Sequence, residues 1–237
     1  MSEKSSKKTT RSRSPEKKAA QFEQIIEAGK ELFIEKGRDG FSLRALAKIL
    51  GMNQNNLYNY VESKRELWIA IRNKFYNQYR NENIKIMKEH EGTITDLLMK
   101  FFKNFSEFAY NDYGAFSMMH LTGPPPSDKI GPFEREYHEF NYLKGTAKIV
   151  QGAIDAKEIN HSDPGMITFF IYSLILGVAI VERNMRVLEQ NPDFEGDSAS
   201  EILSFKTDFN SLEFRNFALE KLESILRDSE MNQKKTD

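Results

Sequence analysis

The sequence predicts an all-α protein. Apolar residues recur at alternating three- and four-residue spacings through most of the chain. No stretch shows the two-residue alternation of a half-buried strand. The apolar segments are bounded by Ser, Thr, Asp, Gly and Pro at positions where helices start and stop. At 237 residues, 39% hydrophobic and 12% aromatic, the chain can bury a sizeable core or join a small domain to a larger one.

Residues 1–14 are Ser, Thr, Lys, Arg and Glu with no apolar residue beyond Met1. They have nothing to bury and are expected to form a disordered basic arm. Pro15 suits the first turn of a helix whose apolar face is Phe22, Ile25, Ile26, Leu32 and Phe33, with Gly37 as its stop. Ser42 is a good N-cap for a short second helix with Leu43, Leu46, Ala47 and Leu50 on its apolar face, ended by Gly51. A third short helix is expected over 54–60. Glu62 and Ser63 interrupt, and a fourth helix runs from Lys64 to about Glu89, roughly 39 Å at 1.5 Å per residue.

Beyond Gly92 the pattern stays helical. Thr93 with Asp96 resembles a capping box ahead of the stripe Ile94, Leu97, Leu98, Phe101, Phe102, Phe105 and Phe108. A short helix is expected over 113–121. The run Gly123, Pro124, Pro125, Pro126, Ser127 reads as a loop. Phe140, Leu143, Ala147, Val150 and Ile154 form one helix face. Asp163 before Pro164 marks another helix start. Residues 191–211 are polar and read as a loop before a last helix carrying Phe214, Phe217, Ala218, Leu222 and Ile225. The expected organisation is a basic arm (1–14), a first domain (15–65), a helical body (66–230) and a flexible tail (231–237).

Charge is unevenly placed. Residues 1–65 carry 14 Lys and Arg against 8 Asp and Glu, whereas the remainder carries 20 against 27. A basic N-terminal quarter on an acidic body points to a polyanion bound at one end, although a solvated tail gives the same balance. The absence of cysteine excludes disulfides and thiolate metal sites. No apolar run reaches the roughly 18 residues of a membrane span. The closest, 166–181, contains Thr168, Tyr172, Ser173 and Gly177 and reads as a buried helix. No secretory signal is apparent, so a cytoplasmic location without membrane association is expected.

The second helix, the turn at Gly51, Met52 and Asn53, and the third helix have the lengths of a helix-turn-helix. Leu46, Ala47, Leu50 and Leu57 would hold the two helices together. The outer side of the third helix then presents Gln54, Asn55, Asn56, Tyr58 and Asn59. Gln and Asn place a donor beside an acceptor, which matches the adenine edge in the major groove, and Tyr58 suits a thymine methyl. Ser42 at a helix N-terminus, Tyr60 and Lys64 suit phosphates.

This stretch resembles the tetracycline-repressor (TetR) family. The matching residues are Ala28, Leu32, Phe33, Gly37, the run from Phe41 to Ala47, Gly51, Leu57, Tyr58, Asn59, Tyr60, Val61, and Lys64 to Leu67. The resemblance implies that Arg44 reaches a base or phosphate, that Gln54, Asn55, Asn56 and Tyr58 face the groove, and that Tyr60 and Lys64 clamp phosphate. Met52 replaces the usual Val. Asn56 stands where a small residue or Thr is usual, so base preference does not carry over. The resemblance further implies a homodimer on a palindromic operator and a C-terminal domain for ligand binding and dimerisation.

Within the body, Phe105, Phe116, Met119, His120, Tyr137, Phe140 and Phe170 are candidates to line a site for a small, largely apolar effector. An aromatic stripe at helical spacing is equally what a plain core requires. The four histidines are scattered, so no metal site is expected, and no cofactor motif occurs. No nucleophile elbow, phosphate loop or HExxH pattern is present, so no enzyme activity is expected. Two functions fit: a repressor released by an effector, or an architectural or cell-division factor that binds DNA without one. The apolar circumference of 167–181 and the last helix point to a dimer interface.

Overall fold

The computed structural model describes residues 14–138, 141–190 and 208–231. All regular structure among the described residues is helical: α1 (Pro15–Gly40), α2 (Leu43–Ile49), α3 (Gln54–Leu57), α4 (Lys64–Lys88), α5 (Ile94–Asn111), α6 (Tyr113–His120), α7 (Pro132–Glu136), α8 (Tyr142–Asp155), α9 (Pro164–Gln190) and α10 (Ser211–Met231). Contacts divide the chain into two compact units. The first, called the head here, holds the described residues up to Asn73 together with Gly123–Tyr137; the second, the body, holds Lys74–Thr122 and the described residues from His138 onward. The boundary thus lies inside α4 rather than at its start, and one internal segment returns to the head. That return leaves no local sequence signal, because it depends on contacts between residues some 67 positions apart.

Local capping explains where the head's helices begin. Ser14 Oγ accepts from Lys17 N–H ahead of Pro15. Ser42 Oγ accepts from Ala45 N–H at 3.1 Å, Asn53 Oδ1 from Asn55 N–H at 2.9 Å, and Ser63 Oγ from Glu66 N–H at 3.1 Å. Each satisfies an amide that has no partner within its own helix. Gly51 closes α2 at φ +61°, a conformation that disfavours any other residue. The third helix is shorter than expected. After Leu57 the backbone tightens into bonds from Asn59 N–H to Asn56 and from Tyr60 N–H to Leu57. Three Asn in this stretch favour such turns over regular helix. The core beneath is Ile25, Ile26, Phe33, Phe41, Leu46, Leu57, Val61, Leu67 and Trp68. The ring of Trp68 stands edge-on to Phe33 and Phe41, with centroids 4.9 and 6.0 Å away.

In the body, α5 and α9 pack on each other and each packs on α8 and α10, and α6 lies on α5. The expected capping box at Thr93 and Asp96 forms, and Asp163 Oδ1 caps Met166 N–H at 3.0 Å. Hydrogen bonds from the Thr93 hydroxyl, the Arg227 guanidinium and the Thr93 N–H hold the Asp96 carboxyl down at about 2. The buried stripe of α9 is Thr168, Ile171, Ile175, Ala179 and Glu182. Its other side stays open: Phe169 is 64% exposed, and Met166 and Phe170 are also exposed. By length and composition α9 is also apolar enough to cross a membrane, yet it carries buried Glu182, paired with Arg215 of α10 at 3.3 Å. On α10, Leu222 and Leu226 are buried, whereas Leu212, Phe217 and Ile225 face outward. The stripe read from the sequence therefore divides between two faces. Phe140 and most of the expected 191–211 loop lie outside the described residues, as do residues 1–13 of the arm.

Candidate nucleic-acid interface and body cavity

Two clefts flank α3 within the head. One is lined by Ser42, Arg44, Ala45, Ala47, Lys48, Met52 and Gln54. The other is lined by Lys18, Gln21 and Gln24 of α1, by Leu50 to Asn53, and by Asn56, Asn59 and Tyr60. Lys18, Arg44 and Lys48 are their charged members, and no carboxylate lines either. Amides that both donate and accept, set between cations, suit base edges bordered by phosphates. Packing produces this surface directly. Leu57 is the single buried residue of α3, so burying it turns Asn55, Asn56 and Tyr58 outward.

The body holds an open-sided cavity of about 490 Å³. Its walls come from four helices: Tyr79, Arg80, Asn83, Ile84 and Met87 of α4; Phe101, Phe102 and Phe105 of α5; Leu143 to Ile149 of α8 in part; and Thr168, Ile171, Tyr172 and Ile175 of α9. The volume lies in the range of small-molecule sites. The wall is mainly apolar, and Arg80 and Lys148 are its charged members. Burial pushes the Tyr79 hydroxyl up to about 12. Asn83 Oδ1 accepts from the Asn104 side chain at 3.2 Å, which orients its amide. Beside the wall, His120 packs against Phe105, Phe116 and Tyr172, with ring centroids 5.1, 5.0 and 6.3 Å away. Burial lowers its pKa to about 4, so the ring is neutral at neutral pH.

A sequence model of bacterial regulatory proteins of the tetR family matches residues 25–71, which span α1 through the first turns of α4. Over those residues the chain is similar to the TetR family. Comparison by sequence with curated proteins finds no match. Solved structures share the fold along most of the chain. A TetR-family transcriptional regulator from Pectobacterium atrosepticum aligns with a TM-score of 0.59 at 14% identity, covering 91% of this chain and 97% of its own. The transcriptional regulator FadR from Bacillus subtilis, in complex with stearoyl-CoA, aligns at 0.56 and 19% identity, covering 86% and 98%. AibR, in complex with isovaleryl coenzyme A and operator DNA, aligns at 0.54 and 13%, covering 87% and 97%. At these identities the likeness concerns the fold.

Ser42, Arg44 and Gln54 line the first cleft, and Asn56, Asn59 and Tyr60 the second. Asn55 and Tyr58 are exposed on the same helix. Lys64 is half-buried, its ammonium 5.5 Å from the centre of the Phe41 ring. Lys18, Gln21, Gln24 and Lys48 join the clefts without having been singled out. For Lys48 a signal existed, since it lies one turn after Arg44 on the same face. In the body, Phe105 lines the cavity. Phe116 and Met119 are buried, and neither is among the lining residues. His120 sits behind Phe105. Tyr137 belongs to the head, stacked on Phe133 at 6.0 Å, and Phe170 faces outward. Arg80, Asn83 and Lys148 were not singled out, because charged and amide residues on a helix read as solvated faces. Among the described residues, no cluster of His, Asp and Glu suited to a metal ion occurs.

Proposed function

We propose that this TetR-family protein is a homodimeric repressor, released from a palindromic operator when a small effector fills the body cavity. The observation that carries the reading is a mainly apolar 490 Å³ cavity in a chain whose head presents an amide-rich, cation-flanked surface. A DNA-binding factor without an effector needs no such space, which favours repressor over architectural protein. Arg80 and Lys148 beside an apolar wall, with no carboxylate, favour an effector with an apolar body and an anionic end. The acyl-CoA esters held by FadR and AibR are of that class. The protein acts by binding rather than catalysis, in the cytoplasm where its DNA is.

The homodimer rests on α9 and α10. Met166, Phe169 and Phe170 on one, and Leu212, Phe217 and Ile225 on the other, are large apolar side chains left exposed, and exposed apolar patches mark interaction surfaces. Ser173 and Gly177, exposed along the same side of α9, permit close helix approach. A two-fold pairing of these helices forms a four-helix interface. On a palindrome each protomer's α3 would take one half-site, the two half-sites lying about 34 Å apart. The test is a gel shift on DNA upstream of the protein's own gene, titrated with stearoyl-CoA and with free CoA. Release by the acyl ester alone is expected. Binding unaffected by acyl esters of any chain length would overturn the effector class.

A further inference from the structure

The segment Gly123–Tyr137 belongs to the head by its contacts, although it lies in sequence between two body helices, α6 and α8. We infer that this strap is the link by which occupancy of the body cavity is felt at the head, with Glu66 as its latch. The inference deepens the effector reading above, and its first experimental arm needs no effector.

The latch is a carboxylate with no exposure. Glu66 Oε2 accepts from Glu62 N–H at 2.6 Å, and Oε1 accepts from Phe133 N–H at 2.7 Å. Glu62 directly follows the segment Tyr58 to Val61, whereas Phe133 sits in the first turn of α7 within the strap. One buried charge therefore ties the end of the recognition segment to the strap. Charge-assisted bonds of this kind are among the stronger ones, and losing either donor leaves a buried charge under-satisfied.

The surroundings are built for the same contact. Gly131 passes so close that a Cβ there would lie 1.8 Å from Glu66 Oε2, so any larger residue would have to push the Glu66 carboxylate aside. Arg65 pairs with Glu134. The Phe133 ring lies 6.1 Å from Phe22 of α1.

Both ends of the strap lead to the cavity wall. Three residues before it, α6 ends at His120, packed on Phe105 and Tyr172, which both line the cavity. Beyond Tyr137, five residues lead to Leu143, which lines the cavity with Gly145 and Thr146. A ligand that displaces these walls pulls on a segment whose middle is fixed beside the recognition residues. Coupling needs only that the ligand prefer the undocked state.

The first arm is hydrogen exchange on the ligand-free full chain. Glu66→Gln should raise exchange at least tenfold at the Phe133 and Glu62 amides and also in the first turns of α8. A cooperative melt and an unchanged emission from Trp68, the sole tryptophan and fully buried in the head, certify the fold. If Glu66→Gln does not fold, Glu134→Ala leaves the carboxylate in place and makes the same test. A rise confined to the head, with α8 unmoved, overturns the inference. In the second arm stearoyl-CoA is added to the wild-type chain, with binding followed by calorimetry. Binding with faster exchange at Phe133 supports the link, and binding without it overturns the link. Failure to bind counts against the effector class alone, and the first arm still decides the strap.

Discussion

The head and the body are built from the same kind of helix, yet they keep their chemistry in opposite places. The head keeps it outside. Leu57 anchors α3, and the amides around it are turned to solvent by helical geometry alone. The body keeps it inside, in a cavity whose wall draws on α4, α5, α8 and α9. A surface on one short helix follows from local spacing. A void follows from how four helices fail to fill the space between them, which no local pattern records. The same contrast predicts which substitutions act on one region and which act through the other.

The largest effect should come from the body. Phe217, 56% exposed on α10, lies on the apolar side assigned to the dimer. Phe217→Glu is expected to give folded monomers in analytical ultracentrifugation. Specific DNA binding should drop to the non-specific level, a loss of about a thousandfold or more, since one head contacts one half-site. A dimer that survives this change with its operator affinity would break the assignment of the interface.

Next is the buried imidazole. With the pKa of His120 held near 4 by burial, the unfolded chain binds a proton here that the folded chain refuses. Stability therefore falls as pH drops from about 6.5 towards 4, by on the order of 2–3 kcal/mol. Denaturant melts of wild type and His120→Phe at pH 7 and pH 4.5 check this. The variant should lose much less stability on acidification. An equal loss in both would place the acid sensitivity elsewhere.

These two residues also mark the limit of what the sequence makes legible. Capping is local, so Ser42, Thr93 with Asp96, and Asp163 could be read from residues two or three apart, and Gly51 from the turn it must make. Helical period shows which residues share a face. It does not tell which face meets a void, so Phe105 was found in the cavity wall while Phe170, one turn away from a buried stripe, faces out. The five-residue α7 is too short for periodicity to register. Its place on the head rests on Glu66 reaching Phe133 across 67 positions. Arg80 and Lys148 stay exposed, and only the assembled helices bring them together at the cavity.

Smaller effects belong to the head. Gln54→Ala removes a two-sided amide from the first cleft. It should cost about 1–3 kcal/mol on the cognate operator and much less on random DNA. Lys64→Ala should weaken both about equally, since an ammonium reads charge rather than sequence. Fluorescence anisotropy on the two DNAs separates these outcomes. Equal losses for Gln54→Ala would remove it from base readout and leave the reading to Asn55, Asn56 or Tyr58.

The smallest expected change in sequence preference concerns the basic arm, residues 1–14, which carry five Lys and Arg and no residue able to read a base through packing. Its contribution should appear in salt dependence. Each phosphate neutralised releases counterions and adds about −0.9 to the log–log slope of affinity against salt. One contact per arm on a dimer would therefore steepen the slope by about 1.8. Deleting 1–14 should flatten it by at least that amount while the ratio of operator to random-DNA affinity stays within about twofold. A slope that survives the deletion would make the arm a bystander and confine phosphate binding to the clefts around Arg44, Lys48 and Lys18. A changed ratio would instead extend base readout beyond α3 into the minor groove, where arms of this kind also reach.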